Sequence, residues 1–505
     1  MEARKSILLI TVDCLRSDHT GFMGYARPTT PFLDSLAEES VVFSNAIVAG
    51  APTYYSLPAI LGSRYPLALG RDVLGLAPEE PSLASVLKQA GYATACFSAG
   101  NPYISAQFGY NRGFDAFQDF LSHEAARPSD DGTSEVVPGG WASRLNQKLQ
   151  TIRPAMGPLG KVYDELYFRY CQRVTPAPQS LDALRRFPTA DIIVDQAQNR
   201  LASIGDTPFF LWLHLMDPHG PYYPKEPGLA LMGDEPIAAT RARYLNSYWN
   251  RSDIGAGRLA RHRDEVVRLY DAGIRWVDLQ VERLVATLRA SQRWEDCIFA
   301  LTADHGEEFL DHGGRYHPPT KLMEELIHVP LLLRVPGRAK ETVAAPFSLL
   351  HLAPTLLDAA QLPAPPEFQG QSYRNQLRPP EISDGVAISE CVAGCTNPFR
   401  REHRLGSRVL AVRDARFKLT LQFDPWNERF YDLESDPGER APLPTSAQKA
   451  ARRRLLEIAR EHLRRSSERR DQRMVVRARL RDLQLEWARS FPNRPVNVDS
   501  RSHTP

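Results

Sequence analysis

The sequence predicts an α/β protein: a doubly wound, mostly parallel sheet flanked by helices, with a small C-terminal α+β subdomain and a helical tail. Three observations predict it. Apolar runs of strand length alternate with helix-spaced stretches through the first 120 residues. Three apolar runs end in or beside an aspartate or a histidine, and open α/β sheets bind ligands beyond the carboxyl ends of their strands. After about residue 380 the texture shifts to short strand-like runs joined by turns. A chain of 505 residues is too long for one simple core and suggests two or three lobes. The expected divisions are a catalytic domain over 1–380, an antiparallel subdomain over 381–440 and a basic helical tail over 441–505.

Each element has its own signal. SILLITVD (6–13) is a buried-strand run ending in a carboxylate. TPFLDSLAEES (30–40) has apolar residues at helical spacing, with Thr30 expected as its cap. VVFSNAIVA (41–49) reads as a strand, and SLASVLKQAGYATACFSAG (82–100) as helix, glycine stop and strand. Residues 121–185 break this rhythm with a polar, Gly/Pro/Ser-rich stretch and a less regular helical segment, an insertion or lid. ADIIVDQAQNRLASI (190–204) is an amphipathic helix, PFFLWLHLMD (208–217) a buried strand, and 265–290 a long helix with a regular apolar stripe. DCIFALTAD (296–304) is a strand that again ends in a carboxylate, and HVPLLLRVP (328–336) is another strand. Residues 408–422 and 428–439 read as short antiparallel strands.

The tail is helical over 447–490, and 451–490 carries 13 Arg against 6 Asp/Glu. Two readings stand for it. It docks anionic lipid headgroups or a polyanionic substrate, or it packs Leu455, Leu456, Leu463, Leu480 and Trp487 against the body with arginines facing water. The packing reading is favoured.

Composition bounds the function. Hydrophobic residues make up 43% and charged residues 24%, so the chain is not disordered throughout. A formal net charge of +2 gives no polyelectrolyte signal, and no nucleic-acid partner is expected. The run SILLITV after MEARK is far shorter than the roughly 18 residues that span a bilayer, and no small-residue cleavage site follows it. Six cysteines are too sparse for a disulfide framework. The expectation is a cytoplasmic, reduced protein, peripheral to a membrane if the tail binds lipid.

The chemistry lies at the strand ends. Asp13 closes the first strand, His219 follows the second in HLMDPHGP, and Asp304-His305-Gly306 closes the third. Distant residues converging this way make the pattern of a metal-centred site. Taken singly, Asp13 reads as a helix cap, and ADHGEE as a helix start with Asp304 capping and Glu307 and Glu308 in the first turn.

The joint pattern resembles the alkaline phosphatase superfamily in its sulfatase and phosphotransferase branch, over nearly all of 6–439. TVDCLRSDHTGFMGY resembles the family's first metal strand, APTYYSLPAILGSRYP its nucleophile segment, and LTADHGEEFLDHGGRYH its most diagnostic stretch. The resemblance implies an alkaline-phosphatase-like sheet. Arylsulfatases convert a Cys or Ser to formylglycine within Cys/Ser-x-Pro-x-Arg. Here Thr53 stands at that site, with Tyr55 and Leu57 where Pro and Arg are needed, so no formylglycine is expected. The segment instead resembles phosphoethanolamine transferases, whose unmodified threonine attacks phosphorus.

Carried over by position, the resemblance implies Asp13, Thr53, Asp304 and His305 as metal ligands and Thr53 as nucleophile. It implies His317 and His219 as substrate-side catalytic histidines. Asn101 stands where arylsulfatases keep a sulfate-binding lysine; Lys321 is a candidate to replace that charge, and His312 a candidate near the site. One or two divalent cations are expected, Zn²⁺ or Mn²⁺ favoured over Ca²⁺ or Mg²⁺ because imidazole replaces a hard oxygen ligand. Cys14 takes the place of a second aspartate and reads as a small core residue or a thiolate ligand. His214 reads as a core histidine. Asp18 and His19 are candidates for the mouth of the site, and His328 reads as structural. The expected function is metal-dependent hydrolysis or transfer of phosphate esters or diesters through a phospho-threonine, on a small-molecule, lipid or glycan ester. The alternatives are a sulfatase without formylglycine and a binding protein on an inactive enzyme fold.

Overall fold

The computed structural model describes residues 4–121, 158–373 and 385–468. The first part of the expected insertion, and Leu480 and Trp487 of the tail, lie outside them.

The large sheet is built from β1 (Ser6–Val12), β2 (Val41–Ile47), β3 (Ala93–Ser98), β4 (Ala116–Gln118), β5 (Phe209–Leu215) and β6 (Cys297–Ala303). A two-stranded ribbon follows, β7 (Glu308–Phe309) with β8 (Arg315–Tyr316). The large sheet is completed by β9 (His328–Arg334), β10 (Glu341–Val343) and β11 (Phe347–Ser348). Its order is β10-β2-β9-β6-β1-β5-β3-β4, with β11 beside β2. Only β9 opposes its neighbours, pairing antiparallel with β2 and β6, while the other described pairs are parallel. Every residue of β1, β5 and β6 is buried, which accounts for their near-continuous apolar sequences: helices cover both faces of a parallel sheet.

The helix Arg263–Ala290 buries Val266, Leu269, Tyr270, Val277, Val281, Leu284 and Leu288 at helical spacing. Its buried Asp278 also sets the start of the helix Pro31–Ala37. The carboxylate accepts from Phe32 N at 3.0 Å and Leu33 N at 2.9 Å. Thr30, the expected cap, makes no capping bond; its hydroxyl donates to Asp34 at 2.9 Å instead. A carboxylate from a distant helix satisfies the first-turn donors that the local hydroxyl leaves free.

The C-terminal subdomain is the antiparallel sheet β12 (Ala387–Val392), β13 (Arg408–Arg413), β14 (Phe417–Phe423) and β15 (Trp426–Asp432). The helix Lys449–Glu468 lays Leu455 and Ala459, fully buried, against Leu410, Val412, Leu419 and Phe430, with Leu456 and Leu463 at the margin. That is the packing expected of an amphipathic tail, over its described part. The subdomain is tied to the body by Glu390 N, which donates to Ala49 O at 2.9 Å. Lys418, fully buried, adds ion pairs to Glu324 at 3.1 Å and Glu439 at 2.8 Å.

Candidate active site

Register brings the site together. Val12 of β1 lies opposite Leu215 of β5 and Ala303 of β6, so Asp13 and Asp304 leave the sheet side by side. His214 sits one residue before the end of β5, and Asn101 three residues past β3. Thr53 opens the helix Thr53–Gly62. Its hydroxyl lies 3.2 Å from His305 Nε2, and that nitrogen is 3.6 Å from both Asp13 Oδ1 and Asp304 Oδ2. His305 Nδ1 donates to Gly306 O at 2.8 Å, which leaves the Nε2 lone pair for the centre of the cluster. Gly306 has no room for a side chain: a Cβ there would stand 1.9 Å from Glu325 O.

Asp13 is held by Asn101 Nδ2 at 2.8 Å and His214 Nε2 at 3.3 Å, both on Oδ2. The Thr11 hydroxyl orients His214 through Nδ1 at 2.9 Å. Asp304 accepts on Oδ1 from His305 N at 2.9 Å, and its Oδ2 is buried without a hydrogen bond. Asp13, Thr53, His214, Asp304 and His305 are all buried. Burial pulls the Asp13 carboxyl upward, but the charge of His219, the His214 bond and the charge of His305 carry it well below its ordinary value. Asp304 goes the other way, raised by burial and by the charge of Asp13. Two adjacent buried carboxylates with opposite shifts, one with an unsatisfied oxygen, suit a cation.

Beside this cluster lies a second one. Cys14 has φ +62°, a conformation rarely adopted outside glycine, and its Sγ is 3.1 Å from Asp13 Oδ1 and 3.4 Å from His317 Nδ1. The His317 ring centroid is 4.5 Å from that of His305 and 5.1 Å from that of His219. His317 Nδ1 meets the buried Glu307 Oε1 at 3.1 Å, and Tyr222 donates to Glu307 Oε2 at 3.0 Å. His219 Nδ1 donates to Gly220 O at 2.6 Å. Among the described residues no lysine or arginine forms an ion pair with Asp13, Asp304 or Glu307. His219 also lines a small cleft with Arg185, Arg186, Phe187 and Tyr223.

The structure thus brings together Asp13, Thr53, Asn101, His219, Asp304, His305 and His317. It places Lys321 and His312 in other partnerships: Lys321 pairs with Glu308 at 3.3 Å and His312 with Glu325 at 2.7 Å. Asp18 pairs with Arg16 at 2.7 Å, His19 with the buried Asp271 at 2.7 Å, and His328 accepts no site role, its Nε2 bonding Ser44 O at 2.9 Å. His214 and Glu307 gain a place that the sequence did not assign, and Cys14, read as a core residue or a ligand, lies beside the site. His214 looked like a core histidine but holds Asp13, and Glu307 supports His317. Glu307 and Glu308 do not open a helix; the chain turns into β7.

The sulfatase family pattern matches residues 5–362, and the pattern described as N-sulphoglucosamine sulphohydrolase, C-terminal, matches 315–466. An ulvan-active sulfatase of Formosa agariphila is 23% identical over 86% of this chain and 76% of its own. An arylsulfatase of Clostridium perfringens is 23% identical over 88% of this chain and 91% of its own. Among solved structures, a phosphonate monoester hydrolase of Agrobacterium radiobacter has the same fold, with a TM-score of 0.65 and 20% identity over 92% of this chain and 96% of that one. With the strand-end cluster and the separate antiparallel sheet, these matches show that the chain belongs to the sulfatase family of the alkaline phosphatase superfamily, a family of sulfate and phosphate ester hydrolases.

Proposed function

We propose that this chain cleaves phosphate esters or diesters by attack of the Thr53 hydroxyl on phosphorus. The observation that carries the reading is Thr53 itself: an unmodified hydroxyl in the first turn of a helix, 3.2 Å from His305 Nε2. Free backbone N–H groups at a helix N-terminus favour an anionic group there. The donors Asp13, Thr53, Asp304 and His305 fit one divalent ion, since Asp304 Oδ2 lacks a partner and His305 keeps Nε2 free of its own backbone bond. Mixed oxygen and imidazole donors favour Zn²⁺ or Mn²⁺ over Ca²⁺ or Mg²⁺. Bound there, the ion lowers the pKa of the threonine hydroxyl and offsets charge on the transferring group.

The chain's own residues do the rest. The Thr53 Oγ–phosphorus bond forms as the bond to the leaving oxygen breaks. The threonine proton passes to solvent, and the leaving alkoxide takes a proton from His317 or His219. The buried Glu307 carboxylate meets His317 Nδ1 at 3.1 Å and holds the ring in place. Water or an acceptor alcohol then attacks phosphorus and releases Thr53, so two displacements retain configuration. The substrate is a small-molecule, lipid or glycan ester, and Arg186 in the cleft beside His219 offers positive charge that Asn101 does not. A second reading, sulfate ester hydrolysis by the same threonine, is supported by the names of the curated relatives.

The test is turnover of an aryl phosphate monoester, an aryl phosphodiester and an aryl sulfate by protein loaded with Zn²⁺, Mn²⁺ or Ca²⁺. Phosphoester turnover that falls about 10⁴-fold or more in Thr53→Ala supports the proposal, that being the scale of losing a nucleophile. Thr53-dependent turnover of the sulfate alone selects the second reading. Activity unchanged in Thr53→Ala overturns both.

A further inference from the structure

We infer that the helix Pro158–Val174 is a docking surface for an anionic lipid bilayer and lies flat in its headgroup region.

Three observations carry it. The first is exposure. Eight large apolar side chains are exposed among the described residues, and four of them stand on this one helix. They are Val162 (55% exposed), Leu166 (61%), Tyr170 (42%) and Val174 (40%). They recur every four residues, which puts them on one face. Tyr163 and Tyr167 extend that face as a ladder, with ring centroids 6.0 Å apart, and Tyr167 stands 6.5 Å from Tyr170. Apolar surface gathered on one element marks an interaction site, whereas singly scattered residues do not.

The second is the attachment of the opposite face. Phe168 and Cys171 are buried. Phe168 packs against Tyr244 and Tyr248 of the helix Ala239–Trp249, at ring-centroid distances of 5.6 and 5.7 Å. The Arg251 guanidinium covers the Phe168 ring at 4.7 Å. Trp249 O, at the end of the helix beneath, accepts from Arg315 of β8, on the ribbon that leads to His317. The helix is thus held in the fold with its apolar face turned outward, one layer from the candidate site.

The third is charge, and it names the occupant. Arg169 and Arg173 run along one edge of the apolar face and are exposed. Glu165, the acid beside that edge, is shared by Arg169 at 3.1 Å, Arg251 at 2.8 Å and Arg258 at 2.7 Å. Asp164 is the only other acid in the helix, against Lys161, Arg169 and Arg173. The edge therefore keeps positive charge. A second copy packed antiparallel would set this edge against itself, arginine facing arginine, whereas anionic headgroups neutralise it. Aliphatic side chains flanked by tyrosine and arginine are the make-up of helices that lie in a membrane interface.

The test is co-sedimentation of the full chain with vesicles of phosphatidylcholine, alone or mixed equally with phosphatidylglycerol. Binding to the anionic vesicles is expected, weakened by high salt and much weaker on phosphatidylcholine. Leu166→Glu should cut it about 10-fold or more, the scale of withholding one leucine from burial. Arg169→Gln and Arg173→Gln should each cut it about 5-fold. Leu166 is exposed, so the melting temperature of Leu166→Glu should match that of the wild type. A wild type that stays in the supernatant overturns the inference, as does equal binding to both kinds of vesicle. Binding retained in Leu166→Glu also overturns it, by returning the contact to the basic tail. A dimer that Leu166→Glu dissociates, with no vesicle binding, gives the face to a second copy instead. None of these readouts depends on turnover, so the phospho-threonine reading stands or falls separately.

Discussion

Asp13 is oriented before any ligand arrives. Asn101 Nδ2 and His214 Nε2 both bond its Oδ2, leaving Oδ1 on the side of His305 and Cys14. At the proposed metal site Asn101 would therefore act through Asp13, although its position along the chain suggested a substrate contact. Asn101→Ala should weaken metal binding about 10- to 100-fold, with activity restored by excess metal. A KM increase with an unchanged metal constant would return Asn101 to the substrate. The residues legible in the sequence are those at strand ends with a diagnostic neighbour, Asp13 and the Asp304-His305 pair, and Thr53 in its landmark segment. His214 was not legible, because a histidine inside an apolar strand looks the same whether its ring meets core or carboxylate. Glu307 was hidden by its similarity to a first-turn acid, and only the turn into β7 shows that no helix starts there.

At the scale of elements, the strands were legible as apolar runs, but their directions were not. HVPLLLRVP reads alike in either sense, and pairing with β2 and β6 alone makes β9 antiparallel. Long-range tethers were equally hidden, and Glu390 on β12 is the clearest. Its fully buried carboxylate accepts from Leu67 N at 2.8 Å and Arg408 Nε at 3.1 Å, and meets His462 Nε2 of the tail helix at 3.2 Å. Burial alone would raise its pKa, but Arg408 and His462 lower it from 4.5 to about 2. A carboxyl depressed on folding contributes stability that is complete above its unfolded value and is lost as pH falls from about 4.5 toward 2. The shift corresponds to about 3 kcal/mol. Glu390→Gln should therefore cost about 3–5 kcal/mol at neutral pH by leaving Arg408 and His462 without their anion, with a smaller penalty at pH 3. Equal melting temperatures for the two proteins at neutral pH would show that the tether carries no stability.

Over the whole molecule the charges nearly cancel, at +2, yet Asp13, Asp304 and Glu307 at the carboxyl ends of β1 and β6 are buried without lysine or arginine pairs among the described residues. With an ion at the proposed site, this imbalance would make the metal part of the fold as well as of the chemistry. Asp304 is raised by burial and by Asp13, so without metal the folded chain binds a proton there more tightly than the unfolded chain does. Its contribution then runs opposite to that of Glu390: stability is lost as pH rises from the ordinary carboxylate range through the raised folded value. A bound divalent ion removes that penalty. At 100 times its dissociation constant a metal stabilises the folded state by about 2.7 kcal/mol, which in a domain of this size raises the melting temperature by about 3–5 °C. Chelation should lower the melting temperature of the wild type at pH 7 by that amount, and Zn²⁺ or Mn²⁺ should restore it. Asp304→Asn should reverse the pattern, melting higher than the chelated wild type and responding little to added metal, because it removes one buried charge and one ligand together. A variant that melts lower than the chelated wild type would mean that Asp304 stabilises the fold without an ion, and would refute the charge argument.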